Sequence, residues 1–199
     1  MRLETKRLIL RKPRISDWKD IVEGVGNIKI SRMTKSIPYP YAKKDALKWI
    51  NNTIKKGGKK EKKACEFLIE LKSEKKVIGC IGISKINKFV GTAMTGSWIN
   101  SKYWKKGYIS EAKIAANNFA FNKLKLKKLN SEVFTINKAS NRTQQGMGYK
   151  FEGCKKKNSR SLATGKIYDA NQYGLFKEDW KKNLPKIKKK LNEKIKKLK

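Results

Sequence analysis

Between Trp98 and Ala112 the chain reads W-I-N-S-K-Y-W-K-K-G-Y-I-S-E-A, an apolar strand that ends in a lysine-rich bend with one glycine and runs straight into a helix. That order constrains the fold, since a helix that leaves a strand at once packs back on the sheet and returns the chain through a right-handed crossover to a parallel neighbour. The junction also concentrates backbone N–H groups. The first turn of a helix leaves its donors without intrahelical acceptors, and the helix dipole adds partial positive charge there. Gly107 lacks a Cβ, which admits both a positive φ and the close approach of a phosphate, and Lys105 and Lys106 add full charges. A lysine-rich surface turn with one glycine is the plain alternative, and a single glycine does not separate the two.

The length of 199 residues suits one domain, or one domain with a tail, and 38% apolar residues suffice for a core. A net charge of +35 favours anionic ligands, nucleic acid or acidic membrane surfaces, although lysine spread along the whole chain also reads as a general compositional bias. The chain has no histidine, which removes the commonest general base and the commonest metal ligand. Acid and base chemistry must then come from Glu, Asp, Tyr, Ser, Lys or water. Cys65, Cys80 and Cys154 form no C-x-x-C pair, so no metal site is expected and a reducing cytoplasm is the expected compartment. No apolar run has the length of a signal core or a membrane span.

In chain order the patterning predicts a strand over Thr5 to Arg11, stopped by Pro13, then a short helix capped by Ser16 and carrying Trp18, Ile21, Val22 and Val25. A loop rich in aromatics follows at Ile37 to Tyr41, then a helix from Lys43 to Lys55 ended by Gly57 and Gly58. Three strands of period two come next, Cys65 to Leu71, Val77 to Ile86 and Ala93 to Ile99, with Gly79 and Gly82 marking a bulge or a close approach in the middle one. Beyond the opening stretch, its helix runs to Lys123. A fifth strand is predicted over Lys128 to Thr135, a helix from Asn137 to Gly148, and strands around Tyr149 to Cys154 and Tyr168 to Phe176. The whole is an α+β domain, residues 1–180, with a mixed, mostly antiparallel sheet of about seven strands and one parallel crossover at the opening loop. Residues 181–199 form a basic amphipathic tail. It reads as a helix packed on the domain or on a second subunit, or as a binder of acidic membrane or RNA, and both monomer and homodimer stay open.

Four blocks in this order resemble the GNAT superfamily of N-acetyltransferases, in particular its ribosomal-protein-alanine acetyltransferase-like (RimJ/RimL-type) branch. They are E-T-K-R-L-I-L-R at Glu4 to Arg11, the stretch from Ser97 to Ala112, N-K-A-S at Asn137 to Ser140, and G-Y-K-F-E-G at Gly148 to Gly153. The resemblance implies an acetyl-CoA site with the pyrophosphate on the loop Trp104 to Ile109 and the pantetheine arm between splayed fourth and fifth strands, Ala93 to Ile99 and Asn130 to Thr135. The cofactor-binding positions it implies are Trp98, Ile99, Asn100, Lys105, Lys106, Gly107, Tyr108, Ile109, Ser110, Asn137 and Ser140.

It also implies Glu132 as general base, Ser140 as general acid, and a backbone N–H near Trp98 or Ile99 for the oxyanion. Glu132 also reads as an exposed carboxylate on a strand, and Ser140 as a helix cap. Departures from the family pattern are Met94, Ser97 and Ile109, and Gln144 where relatives carry an acidic tyrosine. Two functions follow. The first is direct acetyl transfer to an amine, on the N-terminus of a ribosomal or other protein, or on a small molecule. The second is a GNAT-like binding protein without catalysis, docking on ribosome, RNA or acidic membrane.

Overall fold

The structure, a computed structural model, describes residues 1–57 and 64–198. An opening hairpin pairs β1, Arg2–Glu4, with β2, Leu8–Arg11. Thr5 to Arg7, expected as strand, form the turn between them: the Thr5 Oγ1 accepts the Leu8 N–H at 2.9 Å. A three-residue strand is too short to show alternation, so β1 leaves no periodic signal. A 3-10 turn then leads into α1, Trp18–Val25, and α2, Ile28–Ser31. Ser16 does not cap α1. Asp17 organises the turn instead: its carboxylate accepts the Arg14 N–H at 2.6 Å and both Arg11 guanidinium nitrogens at 2.8 Å.

After the Ile37–Tyr41 loop comes α3, Lys43–Gly57. Gly58, expected to help end it, lies outside the described residues. The meander is β3, Cys65–Leu71, β4, Lys76–Asn87, and β5, Thr92–Ile99. The glycines of β4 mark close approaches: a Cβ at Gly82 would overlap the Glu66 carboxylate, and one at Gly79 the Trp98 carbonyl. α4, Tyr108–Asn118, continues through a π turn to Lys123 and returns the chain to β6, Lys128–Phe134, which pairs parallel with β5. α5, Lys138–Gly146, leads to β7, Lys150–Arg160, and β8, Ile167–Phe176, and α6, Lys177–Lys196, closes the chain.

The eight strands lie in the order β1-β2-β3-β4-β5-β6-β8-β7, mixed and mostly antiparallel, one strand more than expected because of β1. Alternation along the strands divides the apolar side chains between two faces. One face, with Phe67, Ile69, Ile81 and Ala93, packs against Ala112, Ala116 and Phe119 of the α4 region and against Trp180 and Ile187 of α6. The other, with Leu68, Val77 and Cys80, packs against Ile21 and Val25 of α1 and Ala46 and Ile50 of α3. The tail helix is thus tied to the domain by Trp180, whose indole N–H donates to Asn118 Oδ1 at 2.9 Å. No helix of the described residues is long and apolar enough to cross a membrane.

Candidate active site

The bend before α4 is held from three sides. The Trp104 indole N–H donates to the Ile99 carbonyl at 2.8 Å, and Gly107 stands at φ +80° as the residue preceding the helix. Arg7 reaches over from the first hairpin: its Nε donates to Glu111 Oε2 at 2.7 Å and its NH1 to the Lys106 carbonyl at 3.0 Å. Glu111, buried in the first turn of α4, also accepts the Arg7 N–H and the Thr5 hydroxyl. The first helical bond runs from the Glu111 N–H to the Gly107 carbonyl, so the amides of Tyr108, Ile109 and Ser110 have no intrahelical acceptor.

Two observations fit this cradle to an anion. Among the described residues the Arg7 NH2 is buried without a partner, and the space beside Gly107 is narrow enough that a Cβ would meet Leu191 of α6 at 3.0 Å and that same NH2 at 3.4 Å. A phosphate oxygen would satisfy the free amides, with the guanidinium behind Gly107 adding positive charge.

Downstream of the cradle, β5 and β6 pair only from Thr92↔Lys128 to Thr95↔Ser131 and then part. Beyond Thr95 the backbone of β5 stays bonded to β4 on one side and has no ladder partner on the other. A polar group of side chains closes the base of the opening. Gln144 Nε2 donates to Ser131 Oγ at 2.9 Å, Lys113 Nζ donates to Gln144 Oε1 at 3.3 Å, and the Tyr149 and Thr95 hydroxyls meet at 3.1 Å. Burial lowers the Lys113 pKa to about 8 and pushes the Tyr149 phenol well up.

The opposite sheet face carries the carboxylates. Glu132 accepts from Ser159 Oγ at 2.6 Å, from Asn158 Nδ2 at 3.4 Å and from Lys35 Nζ. Glu66 lies across Gly82 and accepts from the Cys80 thiol at 3.8 Å. Tyr41, Trp49 and Trp98 stand around this area, and burial, then the charges of Asp45 and Cys80, pushes the Tyr41 phenol up to about 12. A cavity of about 1400 Å³ runs between the two faces where β5 and β6 separate.

Of the residues expected from the sequence, Trp98, Ile99, Lys105, Gly107, Tyr108, Ile109, Ser110, Glu132, Asn137 and Ser140 all line this cavity. Asn100 and Lys106 do not. Asn100 is buried in the turn after β5, where its Oδ1 accepts the Lys102 N–H, and Lys106 contributes its carbonyl to Arg7. The cap of α5 is Asn137, whose Oδ1 accepts the Ser140 N–H at 3.1 Å, so Ser140 is not the cap. Sequence reasoning missed Arg7 with Glu111, Lys113, Glu66, and the α6 residues Lys190, Leu191 and Lys194 that also line the cavity. For Glu111 the signal was present in the quoted blocks, since its partner Arg7 lies in the first of them. Among the described residues no group of three acidic or cysteine side chains could hold a metal.

The family model for the acetyltransferase (GNAT) domain matches residues 7–150, which take in β2, the cradle and the parted strands. The chain belongs to the GNAT acetyltransferase family. This GNAT enzyme is 29% identical over 177 residues to the uncharacterized N-acetyltransferase YoaA of Bacillus subtilis, covering 88% of its own length and 96% of that relative. Its fold matches a GNAT-family acetyltransferase from Bacillus anthracis with a TM-score of 0.77 at 25% identity, covering 89% of this chain and 99% of the other. The ribosomal-protein-S5-alanine acetyltransferase of Vibrio fischeri matches with a TM-score of 0.73 at 18% identity over 90% of this chain and 98% of its own. The microcin C7 self-immunity acetyltransferase MccE, solved with acetyl-CoA and AMP, matches with a TM-score of 0.75 at 20% identity over 86% and 93%.

Proposed function

We propose that this N-acetyltransferase passes the acetyl group of acetyl-CoA directly to a primary amine within a ternary complex. The observation that carries the reading is the single cavity joining the α4 cradle on one sheet face to the carboxylates on the other, through the parting of β5 and β6. Acetyl-CoA would supply the thioester, as the neighbour solved with that molecule suggests. The amides of Tyr108 to Ser110 would hold its pyrophosphate, with Arg7 behind Gly107, Lys105 and Lys106 adding attraction at longer range. Asn137 uses Oδ1 on its own helix, which leaves its Nδ2 for the pantetheine arm.

On the acceptor side, Glu132 is the base we assign, positioned by Ser159 and Lys35 at the edge of the opening. The free β5 backbone near Trp98 and Ile99 would donate to the acyl oxygen as charge builds there. Ser140 presents a hydroxyl without a protein partner among the described residues, in place to orient the sulfur. A protein N-terminus is one acceptor class this reading admits, and the Vibrio fischeri neighbour is named for such a substrate. Thermal unfolding with acetyl-CoA tests the reading: at a hundredfold excess over Kd, stabilisation of about 2.7 kcal/mol is expected. No shift at millimolar acetyl-CoA or CoA would remove it. Glu132→Gln should cut kcat by about a hundredfold while acetyl-CoA affinity stays, and an unchanged pH–rate profile would take Glu132 out of the role of base.

A further inference from the structure

Lys113 is a lysine on the inward side of α4, 2% exposed, flanked by the wholly buried Ala112 and Ala116. An apolar side chain of similar length would pack there without desolvating a charge. Among the described residues Lys113 makes no ion pair, and Gln144 Oε1 at 3.3 Å is its one hydrogen-bond partner. The titratable group facing it is the Tyr149 phenol, whose ring lies 5.8 Å from Nζ and which burial keeps neutral. Gln144 in turn is fixed by its donation to Ser131, the last β6 residue paired with β5 before the strands part. Lys113, Gln144, Thr95 and Ser131 line the same cavity as the cradle of α4. A buried cation without a counter-ion at the base of that opening is arranged to meet a group that becomes anionic only during reaction.

We propose that the Lys113 ammonium stabilises the departing thiolate of coenzyme A, with Gln144 holding it toward the parting of β5 and β6. This rests on the acetyl-CoA reading above. The acceptor nitrogen's lone pair forms the new C–N bond, and the C–S electron pair leaves on sulfur, which is held as a thiolate beside Lys113 Nζ. The surplus proton of the acceptor nitrogen departs through Glu132 or water on the opposite face, and the thiolate takes a proton from solvent when CoA leaves, so protons balance. A lysine still largely charged near neutral pH is suited to hold that anion.

Binding of CoA and of desulfo-CoA, measured by calorimetry and by thiolate absorbance across pH, tests the assignment on wild type, Lys113→Met and Lys113→Gln, the last keeping a polar group should the first fail to fold. In wild type the thiolate of bound CoA should appear about one pH unit below that of free CoA, with CoA binding about threefold tighter than desulfo-CoA near pH 8. Both differences should vanish in the variants, while acetyl-CoA binding stays within about threefold. Bound CoA that titrates like free CoA, or the same thiolate onset in variants and wild type, would overturn the role of Lys113. So would acetyl-Lys113 found by mass spectrometry after incubation with acetyl-CoA alone, since the side chain would then be a nucleophile. Failure of every CoA species to bind any of the proteins would remove the acetyl-CoA reading as well, whereas binding without the thiol shift removes Lys113 alone.

Discussion

On the α4 face of the sheet, the cavity is lined by main-chain amides and by Lys105, Lys113, Lys190 and Lys194, with Arg7 behind Gly107; on the α1–α3 face it meets Asp45, Glu66 and Glu132 among the rings of Tyr41, Trp49 and Trp98. Among the described residues, the three carboxylates that line the cavity belong to the second face, in a chain whose net charge is +35. The first face recognises charge with backbone, which tolerates side-chain change and needs only the correct φ at Gly107. The second works through side chains placed one by one. These carboxylates stand beside Lys29, Arg32, Lys35 and Lys48, and Glu132 is paired with Lys35, so the second face offers an acceptor amine individual carboxylate partners and no net negative field.

The largest effect that would break this contrast is expected at Gly107. Gly107→Val forces a branched side chain into φ +80° and against Leu191, and acetyl-CoA affinity measured by calorimetry should fall by about a hundredfold. Lys105→Ala should change it by no more than about twofold.

Next comes the buried cation of the first face. The Lys113 pKa is lowered from 10.5 to about 8, so between those values the unfolded chain binds more protons and stability rises with pH; below about 8 the full cost of burying the ammonium is present. Lys113→Met should therefore stabilise the protein at pH 7 by on the order of 2–3 kcal/mol in denaturant unfolding, an advantage that shrinks toward pH 10. A constant gain across pH would contradict the charged state assigned here.

On the second face, Glu66→Gln should raise the acceptor KM about tenfold with acetyl-CoA affinity unchanged, and equal losses for both would erase the division between the faces. The smallest effect is expected at the rim: Lys190→Ala with Lys194→Ala should weaken acetyl-CoA binding about threefold at low salt and negligibly at 0.5 M, a condition where the Debye length falls to about 4 Å.

Much of the fold could be read directly. The meander from Cys65 to Ile99 alternates over runs long enough to show its period, and the junction at Trp104 to Ile109 announces a crossover helix; both stand where expected. The hairpin strand Arg2–Glu4 escaped because three residues carry no period, and Ser16 misled because a hydroxyl before a helix is usually its cap, whereas here Asp17 was already committed to Arg11 and the Arg14 amide. The site divided in the same way. Gly107, Asn137 and Ser140 sit in contiguous motifs, and all three line the cavity. Lys113 in a chain so rich in lysine gave no signal, since nothing local distinguishes a buried one.

The sequence by itself therefore determined the α+β class, the crossover, the anion-receptive helix start and the absence of histidine chemistry, because each depends on residues adjacent in the chain or on composition alone. Tertiary structure decided which side chains meet. Arg7 reaches Glu111 across 104 positions, Glu132 meets Ser159 across 27, and Lys113 meets Gln144 across 31. The placement of the carboxylates on one face, and the burial of Lys113 without a counter-ion among the described residues, follow from those long-range closures, which leave no mark in any local pattern.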